Sequence, residues 1–371
     1  MFFCFCLQQR RGLQYLLRAL SSGSDRRATK VYEALVLLAQ AASPTQLAGL
    51  LQHVLRCMRQ GCLGAARLTW AISQMQHGQH VLKLHVHQLL QMLQQQGPCQ
   101  AAAAAALWHV AESPGGGQAL AAHSLMPLLR AMLLGGEVAV MAACIVCYLT
   151  LTEAALHQLV PHVPDLLKAT QQQQPAPVVS MAIRSIYCIS TTGGSSGQQE
   201  VLRNIPGMLS VMQQSRHPDA AAVAGNTVLA LLHTDAGKAA FTQEQHVDAL
   251  LVVLQRRTPA MLHAARALAH IAASSTAGKA VLLHPHRLEL MHETHTLLPA
   301  LQALTSHQAA YEAFAPLFWV LVAAGTMQVT QLAMCTSSSS CRSACASAVV
   351  TWCSAIAVFL ACFMQLPGFL G

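Results

Sequence analysis

Apolar residues in this chain gather in short phrases that return at a long, nearly constant interval. The first phrase reads ALVLLAQ from Ala34, RLTWAIS from Arg67, ALWHVAE from Ala106, CIVCYLT from Cys144, SIYCIST from Ser185, TVLALLH from Thr227 and ALAHIAA from Ala267. Successive starts lie 33, 39, 38, 41, 42 and 40 residues apart, the spacing of a helical repeat rather than of separate globular domains. Within each phrase the second residue is branched and apolar: Leu35, Leu68, Leu107, Ile145, Ile186, Val228 and Leu268. Three places later come Leu38, Ala71, Val110, Tyr148, Ile189, Leu231 and Ile271. Residues at i and i+3 share one face of a helix, so each phrase predicts an apolar stripe that a single helix pair cannot cover. Stacking on the next unit completes the core.

A second apolar segment follows each of the first six phrases, starting at Leu51, Val86, Leu125, Val163, Ile205 and Val247, an offset of 17 to 20 residues. Each unit therefore contains two main amphipathic helices. Pro127, Pro164 and Pro206 stand at the start of the second helix, where a missing N–H costs nothing and the fixed φ favours the first turn. Polar, glycine-containing stretches lie between the helices: SPGGG from Ser113, TTGGSSG from Thr191, and TDAGK from Thr234, which recurs as STAGK from Ser275. They are expected to mark helix exits and entries. An additional short helix is expected before the first phrase, as in HPDAAAVAG from His217.

Composition agrees with helices throughout. The chain of 371 residues is 54% hydrophobic but only 5% aromatic, so small and straight side chains dominate. These have high helix propensity and make poor all-β cores. The reading is an all-α chain built as one elongated array over residues 31–333, with a basic segment at 1–30 and a Ser/Cys-rich, hydrophobic segment at 334–371. The formal charge of +8 is uneven: Arg10, Arg11, Arg18, Arg26, Arg27 and Lys30 face only Asp25 in the first thirty residues. The array itself is close to neutral, which argues against dense phosphate neutralisation and hence against nucleic acid as the partner.

The period near 40, the short leading helix, the apolar phrase and the downstream I/V/L-P-x-L-L helix together resemble the armadillo-repeat family over roughly residues 31 to 290. A degenerate further unit runs through APLFWVLVAAG from Ala315. HEAT repeats, with two helices per unit, are the nearest structural rival. The resemblance implies a right-handed α-solenoid of three-helix units, whose concave groove is lined by the last helix of each repeat. In that family the groove holds extended peptides or partner proteins. Its nuclear-import adaptors carry a ladder of Trp and Asn there, with Asn at the fourth place of the phrase. In this chain that place holds Leu37, Trp70, His109, Cys147, Cys188, Ala230 and His270. Four residues earlier stand Glu33, Ala66, Ala105, Ala143, Arg184, Asn226 and Arg266. The ladder is absent, so classical nuclear-signal binding is not expected. The candidate groove residues are Trp70, His109, Arg184, Asn226, Arg266 and His270, while Trp108 is assigned to core packing in preference to ligand anchoring.

No catalytic or metal constellation assembles from the sequence. HETH at His292 to His295 lacks the i,i+4 histidine pair of the HExxH helix, and His284 and His286 merely flank a proline. Cys144 and Cys147 form a CxxC in the middle of a repeat helix, whereas a redox pair needs an accessible thiol of low pKa. Cys341 and Cys345 lack a second pair. GGGQ from Gly115 and AGK from Ala236 or Ala277 lack the glycine spacing and the Ser or Thr of a phosphate-binding loop. The expectation is a scaffold without enzymatic activity, cofactor or metal, and with thiols kept reduced in a compartment of cytoplasmic type.

Two terminal segments qualify that picture. The first thirty residues are acid-poor and amphipathic, like an organellar transit peptide, but QQRRGLQYLLRAL would equally serve as a capping helix. The stretch from Ala344 to Met364 is uncharged, 21 residues long and sufficient to cross a bilayer. A membrane-tethered adaptor is therefore the alternative function, and RNA binding by the solenoid the second alternative.

Overall fold

A computed structural model describes residues 26–282, apart from 96, 172–173, 257 and 275, together with His284 and Arg287. Every regular element among the described residues is helical. The calls for a transit or capping segment before residue 26, for a repeat from Ala315, for a span over 344–364, and for His286, His292, His295, Cys341 and Cys345 lie outside the described residues. Two compact units divide between Val201 and Leu202.

The first phrase forms a row of long helices. In the first unit these are α1 (Arg26–Ala41), α3 (Leu63–Ser73), α6 (Pro98–Glu112), α9 (Gly136–Leu149) and α12 (Ala176–Thr192). Each packs on the next along the row. The second segment forms α2 (Pro44–Arg59), α5 (Val86–Met92), α8 (Met126–Met132) and α11 (Val163–Lys168). In chain order α4 (Gln76–Leu82), α7 (Gly116–Ala121) and α10 (Glu153–Leu159) follow a long helix and precede the second one; single 3-10 turns, Lys83–His85 and Val160–His162, carry α4 and α10 into the helix that follows. The helix α13 (Gly194–Arg203) contains the division. The second unit continues with α14 (Ile205–Gln214), α15 (Pro218–Leu232), α16 (Asp235–Phe241), α17 (Glu244–Gln255), α18 (Met261–Ser274) and α19 (Thr276–Leu282), where α15 and α18 are the long helices.

The apolar register is the one the phrases predict. All seven second-place residues, Leu35 through Leu268, are fully buried, and the six residues that open the second segment are 0 to 3% exposed. Full burial of a Leu, Ile or Val contributes about 1.5–3 kcal/mol, so the repeating stripe is the main source of stability. Pro127, Pro164 and Pro206 lie in the first turns of α8, α11 and α14 as expected. The first unit adds a start signal that the prolines do not provide. Ser43 accepts from the Gln46 backbone N–H, and the Gln46 side chain accepts from Ser43 N at 3.1 Å, a reciprocal capping box at the head of α2.

The short third helix lies elsewhere than expected. Pro218–Leu232 is one continuous helix that already contains the phrase from Thr227, so HPDAAAVAG does not form a separate leading element. The extra helix instead follows the phrase, in the segments whose glycines suggested linkers. A Cβ on Gly116 would lie 1.6 Å from the Val110 carbonyl oxygen, and one on Gly237 would lie 1.9 Å from that of Leu231. Gly78, Gly197 and Gly278 approach Ile72, Ile189 and Ile271 in the same way. These glycines let the short helix turn directly against the C-terminal end of the long helix before it. They are close-approach residues as well as chain breakers.

Hydrogen bonds one repeat apart tie neighbouring units. His77 Nε2 lies 3.0 Å from the Ala39 carbonyl, Gln174 Nε2 donates to the Leu133 carbonyl at 3.4 Å, and Gln213 Nε2 donates to the Ala249 carbonyl at 3.0 Å. Lys83 donates to the Pro114 carbonyl and Gln158 to the Ala121 carbonyl. In the second unit the buried Arg287 guanidinium closes the end of the described chain. It donates to Asp248 Oδ1 at 2.6 Å, to Glu244 Oε2 at 3.1 Å and to the Val281 carbonyl at 2.9 Å. The two carboxylates raise its pKa further, Asp248 most strongly, so the charge is permanent.

Candidate partner-binding face of the long helices

The second place of every phrase is buried, and so is the fifth in five of the seven, Leu38 and Tyr148 being half-buried; the fourth place turns outward on the long helix. Leu37 and Trp70, both at that place, are 64% and 44% exposed. In the first unit this face carries a cleft of about 240 Å³ spanning α3, α6 and α9. Leu63, Ala66, Arg67 and Trp70 line it from α3, Ala101, Ala102 and Ala105 from α6, and Glu137 and Met141 from α9. The α3 residues are one and two helical turns before Trp70, at i−3, i−4 and i−7, so one helix face presents them together. Alanines on the middle helix make the cleft. Arg67 and Glu137, both exposed, place opposite charges on its two sides.

Of the six candidate residues, Trp70 alone lines this cleft. His109 is partly exposed on α6, with Nδ1 3.7 Å from Glu112 Oε2. Arg184 is exposed on α12 and Tyr187, three places further, is 38% exposed. Asn226, Arg266 and His270 belong to the second unit, where Asn226 is exposed and the other two are half-buried. The His270 ring meets His233 edge to face at 5.1 Å. Sequence reasoning missed His233, although it is the last residue of its own phrase. It also missed Leu63, Arg67, Glu137 and Met141, which the helical period counted back from Trp70 and Cys144 would have found. Trp108, half-buried, packs edge to face on Tyr148 of α9, with ring centroids 6.2 Å apart.

The sulfur and imidazole chemistry is that of packed groups. Burial pushes the Cys147 thiol above its ordinary value, and Cys188 adds to this against weaker pulls from Ser185 and Arg184. Burial likewise raises Cys144. A raised thiol pKa is the opposite of what a redox nucleophile requires. Among the described residues no three His, Cys, Asp or Glu side chains converge as a metal site. GGGQ and AGK open α7 and α16. In the latter the Thr234 hydroxyl caps the helix by accepting from Gly237 N–H at 3.0 Å. No single helix among the described residues is long and apolar enough to cross a membrane. The α9 helix passes such a test only together with Glu153–Lys168, across a bend of 118°.

Neither a protein-family model nor a curated protein matches the sequence. Solved structures match the fold. An engineered protein is 18% identical over 92% of this chain and 88% of its own, with a TM-score of 0.51. UNC-45 from Drosophila melanogaster is 14% identical over 92% of this chain, with a TM-score of 0.50; the match spans about half, 52%, of the UNC-45 chain. At such identities the likeness concerns the fold alone. The rows of helices, the phrase register and these neighbours agree that the chain folds as an armadillo/HEAT-type helical-repeat protein.

Proposed function

We propose that the chain is a non-catalytic scaffold that holds an extended peptide segment of a partner protein against the exposed face of its long helices. The observation that carries the reading is the cleft over α3, α6 and α9, where an indole 44% exposed stands beside an alanine-lined floor. An exposed Trp in a concave, mostly apolar site is a residue type that dominates binding energy at protein interfaces. Small floor residues admit a chain in extended conformation, and Arg67 and Glu137 provide polar contacts on either side. Repeat proteins use such surfaces because every unit adds a similar strip of contact.

The test is selection of 16-residue peptides displayed on phage against the full chain, followed by calorimetric titration. Trp70→Ala is expected to weaken the selected peptides at least tenfold while the thermal midpoint stays within a few degrees. Leu84→Ala removes a side chain 76% exposed on the turn after α4 and is expected to leave affinity unchanged. Equal loss from both variants, or none from Trp70→Ala, overturns the reading.

A further inference from the structure

The long-helix face of the second unit differs in chemistry from the cleft of the first. Gly225 of α15 lies against His263 of α18, since a Cβ there would meet His263 Cβ at 2.4 Å. Seven to eight residues further along both helices, His233 meets His270 at 5.1 Å. The two helices therefore run side by side in the same direction, and Arg266 falls between these contacts, one turn from each histidine on α18. Asn226 is exposed on α15 at the His263 end of the strip. The strip thus presents Asn226, His263, Arg266, His270 and His233 without an acidic residue among them. The acids of the flanking helices have cations of their own, one of which, Lys238, also acts on His270. Asp235 takes Lys238 at 3.0 Å, and Asp248 and Glu244 take Arg287. Asp219 lies at the start of α15, close to two turns before Asn226.

We propose that this strip binds an acidic extended segment, with Asp or Glu side chains received by Arg266 and by the His233–His270 pair, and that binding tightens as the pH falls. The proposal rests on the scaffold reading and names the partner class for the second unit. One guanidinium with two imidazoles matches discrete carboxylates better than a continuous phosphate backbone, which requires several permanent cations. The pH dependence follows from the groups facing the pair. Arg266 stands one turn before His270 on its own helix. Burial first, then His233 from the end of α15 and Lys238 from α16, hold the His270 pKa below the ordinary value. A carboxylate received at the exposed edges of the two rings reverses that balance, so the complex takes up protons that the free protein does not. The Arg266 guanidinium supplies the pH-independent part.

Fluorescence anisotropy tests this with three labelled 12-residue peptides, Glu-rich, Gln-rich and Lys-rich, and a 12-nucleotide single-stranded RNA, each titrated with the full chain at pH 7.5 and 6.0. The Glu-rich peptide is expected to bind at least tenfold tighter than the Gln-rich one at pH 6.0, and at least threefold tighter at pH 6.0 than at 7.5. Arg266→Gln weakens it at both pH values, whereas His233→Gln with His270→Gln removes the pH dependence and retains the fold. Indifference to peptide charge, an unchanged pH response in the double variant, or preference for RNA overturns the proposal. A selected peptide that still depends on Trp70 while the Glu-rich peptide fails would leave the scaffold reading standing and this inference refuted.

Discussion

Among the described residues, three half-buried histidines, His85, His263 and His270, act on the acid side of the stability profile. Burial lowers the pKa of His85, of His263 with help from Arg266, and of His270 with help from His233 and Lys238. Between the ordinary histidine value of about 6.5 and the lowered folded values, the unfolded chain binds more protons than the folded one. Their contribution is therefore fully present above that ordinary value and is lost as the pH falls through the window below it. Asp165, held low chiefly by its hydrogen bond from Lys168, acts only in the more acidic carboxylate range. Differential scanning calorimetry is expected to show a lower thermal midpoint at pH 5.5 than at 7.5, with the gap narrowed by His263→Gln; a midpoint that rises on acidification contradicts the assignment. At this scale Trp70 was legible because aligning the phrases fixes its helix face. His233 was not, because its role depends on a ring contributed by a different repeat.

At the scale of the element, the phrases located the long helices and their core residues, and the prolines located the starts of three second helices. The short helices were misplaced for a definable reason. A glycine that permits one helix to abut another has the same letter as a glycine that ends a helix, and only the carbonyl 1.6 Å from a Gly116 Cβ separates the two. A pair of substitutions measures the difference. Gly116→Ala forces α7 away from the end of α6 and is expected to cost about 1–3 kcal/mol. Gly49→Ala, at an exposed site inside α2 with nothing within 4 Å of the new Cβ, is expected to stabilise by about 0.5–1 kcal/mol. Urea unfolding curves showing the same sign for both would remove the close-approach account.

At the scale of the molecule, the interval near 40 residues already determined that helices stack in repeats, because no single unit can cover its own apolar stripe. The chemistry along the exposed face was less legible. It is assembled from residues one repeat apart, as in the cleft shared by α3, α6 and α9, and from small residues such as Ala102 whose contribution is the space they leave. The two units each present their long helices, one with an indole beside alanines and the other with imidazoles around a guanidinium. Partners are proposed to lie on these long-helix faces. Site-specific photocrosslinking tests it most directly, with p-benzoylphenylalanine in turn at Trp70, Tyr187, Leu84 and Leu151 of the full chain and a phage-selected peptide as the probe. Crosslinks from Trp70 and Tyr187 with none from Leu84 or Leu151 are the predicted result, whereas crosslinks confined to Leu84 or Leu151 would contradict the account.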